Sequence, residues 1–261
     1  MKFAFLGFGN MGSALARGFI ALGGVNATDI TAYAPHADKL KKRAEELGVL
    51  TASDAAEAIG RADTVIIACK PQTVPSLLLE VGELLRGKAL LSVALGWDHA
   101  RYREALPEDV RVQFVMPNTP AAVGQGVFLF EETTSLRAGE LAELMALFSA
   151  LGAVVTLPSP QMGIGGAIAG CGPAFVDLMI EALADAGVRY GLTRANALLL
   201  TSQMIAGSAF LQQKTGEHPG VLKDAVCSPG GSTIRGVEAL ERAGFRGALL
   251  SAIEAIMNRT E

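Results

Sequence analysis

Three glycines near the N-terminus have the spacing of a dinucleotide-binding turn. Gly7, Gly9 and Gly12 follow a short apolar run and precede a helical pattern, in the order G-x-G-x-x-G. In such a turn the first glycine permits a sharp bend, the second lets a pyrophosphate approach the backbone, and the third packs the helix on the strand. The helix N-terminus then faces the phosphates. The pattern favours a dinucleotide site over a purely structural turn. Its predicted cofactor contacts are Gly7, Phe8, Gly9, Asn10, Met11 and Gly12.

The end of the second predicted strand bears on the choice between NAD(H) and NADP(H). NAD sites usually carry Asp or Glu there, to accept hydrogen bonds from the ribose hydroxyls. No acid occurs at residues 33–35, and His36 and Lys39 follow. The missing carboxylate and nearby cations favour a 2′-phosphate, so NADP(H) is preferred and NAD(H) is the alternative. The lysines at 41 and 42 are interpreted as a solvated helix face. The predicted contacts here are Ala34, Pro35 and His36.

Three further motifs end apolar runs: "IIACKP" (66–71), "SVALG" (92–96) and "MPNTP" (116–120). In open α/β sheets, ligands bind outside the carboxyl ends of the strands. Lys70 is either a catalytic lysine or a residue beside the cofactor whose turn Pro71 fixes, and we favour the second interpretation. The predicted cofactor contacts from these turns are Ala68, Cys69, Lys70, Pro71, Ala94 and Gly96.

Near the C-terminus, the segment "SPGGST" (228–233) separates two helical patterns. Successive backbone N–H groups in a glycine-rich turn, followed by a helix N-terminus, form an anion site, and a small carboxylate fits it. The alternative is an ordinary turn in which Ser232 or Thr233 caps the helix. The predicted substrate contacts are Ser228, Gly230, Gly231, Ser232 and Thr233.

Acid–base residues are scarce outside this loop. The chain has three histidines, His36, His99 and His218, and neither a His–Asp pairing nor a metal-binding cluster is evident. An enzyme that reduces an alcohol or ketone usually needs an acid–base group. Reduction of a protonated carbon–nitrogen double bond needs little proton chemistry, because the imine is already electrophilic. The scarcity therefore favours imine reduction, with no metal.

The apolar runs and helical patterns predict two domains. Fully apolar strands alternating with helices indicate a doubly wound parallel sheet of the Rossmann type, covered on both faces, over residues 1–157. Beyond residue 157 the strand signals stop, and residues 158–261 are predicted to be all helical. Predicted strands cover 3–6, 30–34, 64–69, 89–94, 111–115 and 127–130, with 154–157 closing the sheet. Predicted C-terminal helices cover 173–187, 193–213, 219–226, 233–243 and 245–259.

Composition excludes several function classes. Hydrophobic residues make up 50% of the 261 residues, and the net charge is −4 without a basic run, which argues against a nucleic-acid partner. Three widely spaced cysteines form neither a zinc pattern nor a disulfide framework, which favours a reducing, cytoplasmic setting. Prolines and glycines interrupt the uncharged stretch 144–176, so we expect no spanning helix there, and 195–213 is predicted to be a helix buried in an oligomer rather than in a membrane.

The motifs resemble those of the pyrroline-5-carboxylate reductase family over essentially the whole chain. The resemblance is carried by "GFGNMG", "CKP", "MPNTP" and "GCGPAF", and above all by "HPGVLKDAVCSPGGSTIRGVEALERAGFR" at 218–246. It implies reduction of Δ1-pyrroline-5-carboxylate to L-proline by hydride from NAD(P)H. It also implies that the 228–233 loop binds the substrate carboxylate and that Thr233 contacts the ring nitrogen. The implied assembly is a homodimer with intertwined C-terminal helices and its active site at the dimer interface, often built into a decamer.

The sequence departs from the family pattern around residues 159–175. Where the family has acidic, hydroxyl or tyrosine side chains, this chain has Ser159, Gly163, Gly166, Ala169, Cys171 and Phe175. Ala225 also replaces a residue that is commonly polar or larger. Several polar groups near the expected substrate pocket are therefore predicted to be missing.

Two alternatives follow from these departures: a reductase of another cyclic imino acid, and a catalytically silent dinucleotide-binding protein. A β-hydroxyacid dehydrogenase is a further option, but Lys214 and Lys223 do not lie in the expected C-terminal lysine motif.

Overall fold

The structure, a computed structural model, describes residues 1–258. The chain divides into two compact units, Met1–Gly170 and Cys171–Glu261. The first combines strands and helices, and the second is helical, which confirms the predicted fold class. The domain boundary after residue 157 stays a prediction. The expected end of the last helix at Arg259 lies outside the described residues.

The first unit contains one eight-stranded sheet and helices on both of its faces. Its strands are β1 (Phe3–Leu6), β2 (Ile30–Tyr33), β3 (Leu50–Thr51), β4 (Thr64–Ile67), β5 (Ala89–Ser92), β6 (Arg111–Met116), β7 (Gly126–Glu131) and β8 (Gly152–Leu157). Its helices are α1 (Asn10–Ala21), α2 (Ala37–Leu47), α3 (Ala55–Gly60), α4 (Val74–Val81), α5 (His99–Ala105), α6 (Ala138–Ser149) and α7 (Ser159–Gly166).

The strand order β3-β2-β1-β4-β5-β6-β7-β8 is that of a doubly wound sheet. The chain leaves β1 toward β2 and β3, then crosses back to β4 on the other side of β1. This reversal creates a switch point between the carboxyl ends of β1 and β4, which is where such sheets bind dinucleotides.

Successive side chains of β1 point to opposite faces of the sheet and pack into two separate apolar cores. Phe3 and Phe5 of β1 enter one core, whereas Ala4 and Leu6 enter the other. The first core centres on Phe148 of α6, which is fully buried and makes edge contacts with several phenylalanine rings. Those rings belong to Phe19, Phe128 and Phe130.

The expectation of a wholly parallel sheet is wrong at one pair, since β6 and β7 run antiparallel. Residues 117–125 connect them, a link shorter than the dozen or so residues that a parallel crossover needs. The expectation that both faces are covered also fails at the edge strand β8, which has no fully buried residue and whose positions 152–155 alternate between half-buried and exposed. The short strand β3 had no prediction, since two residues carry too little periodicity to detect.

As expected, residues 144–176 do not form one helix, because β8 lies within them. Pro160 and Pro173 nevertheless do not interrupt the helical run that begins at Ser159. A π-helical turn, Ala167–Cys171, joins α7 to α8 (Gly172–Arg189). Pro160 and Pro173 each lie in the first turn of an α-helix, where the missing N–H costs no helical hydrogen bond. By length and composition alone the run Ser159–Arg189 could span a membrane, a property that apolar helices of soluble proteins share.

The second unit continues with α9 (Arg194–Thr215), α10 (Pro219–Ala225), α11 (Ser232–Arg242) and α12 (Phe245–Met257). Thr193 is the N-cap of α9, and its hydroxyl accepts the Asn196 N–H at 3.3 Å. The helix ends at Gly216, which has a φ of 67°. In the single chain α9 buries only Ala197 and Thr201, so the predicted burial of this helix is not provided by its own fold.

Candidate active site

The N-terminal glycines form a turn in which two positions admit no side chain. Gly7 has a φ of +103°, and a Cβ there would lie 2.6 Å from the backbone nitrogen of Cys69. A Cβ on Gly12 would lie 2.5 Å from the carbonyl oxygen of Gly7. The two glycines therefore let α1 and the end of β4 approach each other closely.

Gly9 differs from its neighbours because a Cβ there would meet no atom within 4 Å. It is the N-cap of α1 in extended conformation and has no side-chain capping bond. The N–H groups of Asn10, Met11 and Gly12 lie in the first turn and have no intrahelical acceptor. Open space beside unpaired N–H groups fits a pyrophosphate.

The neighbouring strand ends converge on this turn. Gly7 donates its N–H to the Tyr33 carbonyl at 2.8 Å, and Ala68 donates to the Leu6 carbonyl at 2.9 Å. A cavity of about 210 Å³ opens there, and its lining includes the predicted contacts Gly7, Pro35 and Cys69. Its lining also includes Thr73, Ser76 and Glu80, which sequence reasoning missed because a single turn and helix face gave no ligand signal.

The turns after β4 and β5 are fastened to each other by Trp97. Its indole N–H donates to the Pro71 carbonyl at 3.2 Å. The guanidinium carbon of Arg101 lies 4.9 Å from the centre of the Trp97 ring, and Nη1 of Arg101 donates to the Gly96 carbonyl at 2.8 Å. The predicted cofactor turns 68–71 and 94–96 are thus brought together by two side chains that the motif search did not identify.

Lys70 and Cys69 show little sign of catalytic activation. Lys70 is exposed and precedes the 3₁₀ turn Pro71–Thr73, so its assignment beside the cofactor stays a prediction. Burial raises the pKa of the Cys69 thiol, because desolvation opposes the thiolate, so Cys69 is protonated at neutral pH.

The end of β2 places His36 at the N-cap of α2, exposed and without a side-chain capping bond. Lys39 and Lys42 are exposed on the same helix. Nζ of Lys41 lies 4.0 Å from Oε1 of Glu45, and both side chains are exposed, as expected for a solvated helix face. A larger groove of about 480 Å³ runs along α2 and β3 and contains none of the predicted site residues.

The other two histidines have structural surroundings. His218 accepts the backbone N–H of Gly220 at 3.1 Å through Nδ1 and caps α10. Desolvation lowers the pKa of His99, which favours the neutral ring. Within residues 1–258 no group of three or more His, Cys, Asp or Glu side chains could hold a metal ion.

The 228–233 segment folds into a turn that exposes the start of α11. Gly231 donates its N–H to the Ser228 carbonyl at 3.0 Å, and Gly230 between them has a φ of +68°. With Pro229 before Gly230, these are the features of a type II turn. The alternative in which Ser232 or Thr233 caps the helix is wrong, because Gly231 is the N-cap and makes no side-chain capping bond.

This geometry leaves the first-turn N–H groups of α11 without intrahelical acceptors, and Ser232 and Thr233 are exposed. A Cβ on Gly231 would lie 2.7 Å from the Ser228 hydroxyl oxygen, so this hydroxyl lies close to the bare glycine. The five predicted substrate contacts therefore lie together around one helix N-terminus.

Comparison with known proteins identifies the family. A family model described as pyrroline-5-carboxylate reductase dimerisation matches residues 159–261, and one described as NADP oxidoreductase, coenzyme F420-dependent, matches residues 2–96. A pyrroline-5-carboxylate reductase of Treponema pallidum is 39% identical over 99% of both chains. The Escherichia coli enzyme of that name is 36% identical over 100% of this chain and 97% of its own. The chain belongs to the pyrroline-5-carboxylate reductase family.

A solved structure supports the same assignment. The Plasmodium falciparum pyrroline carboxylate reductase with NADP bound superposes with a TM-score of 0.89 and 31% identity, covering 98% of this chain and 95% of that one.

Ser159, one of the departures from the pyrroline-5-carboxylate reductase pattern, forms a hydrogen bond with a carboxylate from another strand. The Ser159 hydroxyl donates to the Glu131 carboxylate at 2.6 Å, and the same carboxylate accepts the backbone N–H of His99 at 2.8 Å. Glu131 is only 3% exposed. A buried carboxylate from β7 therefore lies beside position 159, while the family's own acidic side chain is absent there.

At two other departures, Gly166 and Ala169, apolar side chains pack where the family pattern has polar groups. A Cβ on Gly166 would lie 2.4 Å from the Met116 sulfur, so Met116 fills that space. Ala169 packs beside the small core of Phe114, Leu129 and Met162. Its carbonyl, within the π-helical turn, accepts the Asn118 side-chain N–H at 3.0 Å, which ties the "MPNTP" motif to this turn.

Gly9→Ala tests the dinucleotide turn. The new methyl group meets no protein atom, so the fold is expected to be kept, at the modest stability cost of an alanine N-cap. The methyl would occupy the space proposed for the pyrophosphate, so NADPH affinity should fall at least about tenfold, or about 1.4 kcal/mol. Fluorescence titration measures it, with Gly139→Ala as the control because a Cβ at Gly139 also meets nothing. An unchanged NADPH affinity in Gly9→Ala would show that the pyrophosphate does not bind at this turn.

Glu131→Gln tests the buried carboxylate. The amide can accept only one of the two hydrogen bonds, so the free energy of unfolding should fall by about 1–3 kcal/mol. Urea denaturation monitored by circular dichroism measures the change. Glu132→Gln, at the adjacent exposed position, should stay within about 0.5 kcal/mol of wild type. Equal stability of the two variants would contradict the structural role of Glu131.

Proposed function

We infer that this chain reduces Δ1-pyrroline-5-carboxylate to L-proline, the last step of proline biosynthesis, with NAD(P)H as the hydride donor. The observation that carries this inference is the intact 228–233 loop, which presents bare helix N–H groups in a chain otherwise poor in acid–base residues. The full-length similarity to enzymes named pyrroline-5-carboxylate reductase supports it.

On the substrate side, the first-turn N–H groups of α11 hold the carboxylate. The Gly231 N–H already donates within its turn, so the N–H groups of Ser232 and Thr233 and the Ser228 hydroxyl are the available donors. The helix dipole adds positive potential at this end. Glycines at 230 and 231 let the substrate approach the backbone.

The Thr233 hydroxyl is the group proposed to touch the ring nitrogen. It lies at the second helical position, exposed and not used as a cap. When bound, the nicotinamide supplies a hydride to the imine carbon, and the ring nitrogen keeps its proton to give a secondary amine. Thr233 then orients the ring, so no strong acid is needed.

On the cofactor side, the N–H groups of the first turn of α1 hold the pyrophosphate, and the turns at 34–36, 68–71 and 94–96 line the remainder. NADPH is proposed as the preferred form, because the end of β2 offers no carboxylate to the ribose and His36 and Lys39 are exposed nearby.

The second unit is proposed to form a homodimer. Its helices expose large apolar side chains that a monomer would leave in water, and the matching family model is one for dimerisation. Intertwined helices, assembly into a decamer and a cytoplasmic location are further parts of this proposal. Among the exposed side chains are Leu178, Leu199, Leu200, Met204, Leu211 and Leu250.

A reductase of a different cyclic imino acid is the second candidate. It is favoured by the small or apolar side chains at Gly163, Gly166 and Ala169, where the family pattern has polar ones.

Thr233→Ala is expected to lower kcat/KM for pyrroline-5-carboxylate by about 10²-fold, the typical contribution of a positioned hydroxyl or proton-transfer group. Thr233→Ser keeps the hydroxyl and should stay within about fivefold of wild type. Steady-state NADPH oxidation measures both, and NADPH affinity should be unchanged in each. Equal kcat/KM values for the alanine and serine variants would show that the Thr233 hydroxyl does not contact the reacting imine.

The substrate itself is tested by comparing pyrroline-5-carboxylate with its six-membered homologue. The five-membered ring should give a kcat/KM at least about tenfold higher, a difference of about 1.4 kcal/mol. Equal or better turnover of the homologue would favour the second candidate. No NAD(P)H oxidation with either imine would contradict both.

A further inference from the structure

Arg43 connects α2 to the glycine-rich turn. Its side chain is half-buried and starts about two helical turns after His36. One terminal nitrogen, Nη1, donates to the Phe8 carbonyl at 2.8 Å, and the other, Nη2, donates to the Asn10 side-chain oxygen at 2.8 Å. The planar guanidinium thus spans Gly9, holding the residue before it and the residue after it.

Gly9 is the residue that most needs such support. It has no side chain and no atom would contact a Cβ there, and glycine has more backbone conformations open to it than any other residue. Binding a pyrophosphate at this turn would require that freedom to be lost, at a cost to affinity. Two charge-assisted hydrogen bonds on either side of Gly9 restrict the turn before the ligand arrives.

We propose that Arg43 is a positioning residue that fixes the glycine-rich turn in the conformation that accepts a dinucleotide pyrophosphate. The inference rests on the proposed dinucleotide site. It differs from a 2′-phosphate contact, since Nη1 and Nη2 of Arg43 both donate to the turn itself. A residue that positions the pyrophosphate acts equally on NADPH and NADH, which share that group.

The test measures the dissociation constants of NADPH and NADH by fluorescence titration of the full chain. Arg43→Met should weaken both cofactors by about tenfold, with their ratio unchanged within about twofold, because two charge-assisted hydrogen bonds are lost. Arg43→Lys, which keeps one charged donor, should weaken both by about threefold. Lys41→Met, an exposed change on the same helix, is the control and should bind both cofactors as wild type does.

The partner of the second hydrogen bond supplies an internal check. In an Asn10→Ala background one acceptor is gone, so the Arg43→Met change should weaken binding by less than it does alone. Thermal unfolding of each variant accompanies the titrations, and the lysine variant carries the test if the methionine variant does not fold.

Three results would overturn the inference. Loss confined to NADPH would make Arg43 a 2′-phosphate ligand, and unchanged affinity for both cofactors would leave it no positioning role. In these cases the wild-type chain still binds dinucleotide, and the proposed function stands. A wild-type chain that binds neither cofactor would overturn the proposed function as well.

Discussion

The close approach of the first glycine turn to the end of β4 is the constraint on which the cofactor half of the molecule depends. Side chains at Gly7 or Gly12 would collide with backbone atoms at 2.6 and 2.5 Å. Their absence sets the start of α1 at the switch point of the sheet, where its unpaired N–H groups face open space. Arg43 and Trp97 then hold the surrounding turns by hydrogen bonds to backbone carbonyls.

The same physical device recurs in the second unit. A turn with a glycine at positive φ delivers a bare glycine as the N-cap of α11, and the first-turn N–H groups are left for an anion. Neither predicted anion site draws on an acidic or histidine side chain. The lack of acid–base side chains at these sites agrees with a reaction in which an electrophilic imine has only to be oriented opposite a hydride donor.

Local patterns in the sequence predicted much of the fold and of both glycine-rich turns. β1 has the predicted bounds and α11 differs from its predicted range by one residue at each end, because an apolar run and an amphipathic period are properties of adjacent residues. Features that depend on distant residues were not predictable. Ser159 meets Glu131 because β7 and β8 pair in parallel with Glu131 opposite Leu157. The π-helical turn has no sequence signature that would have revealed it. The partners of Arg43 likewise lie far from it in the sequence, at Phe8 and Asn10.

A crystal structure with NADP and L-proline bound tests the central claim most directly, namely that backbone N–H groups hold both anions. The account predicts the pyrophosphate within about 3 Å of the N–H groups at the start of α1, and the proline carboxylate within the same distance of the N–H groups of Ser232 and Thr233, with the Thr233 hydroxyl on the ring nitrogen. A carboxylate held instead by a lysine or arginine side chain, with the 228–233 loop empty, would contradict it.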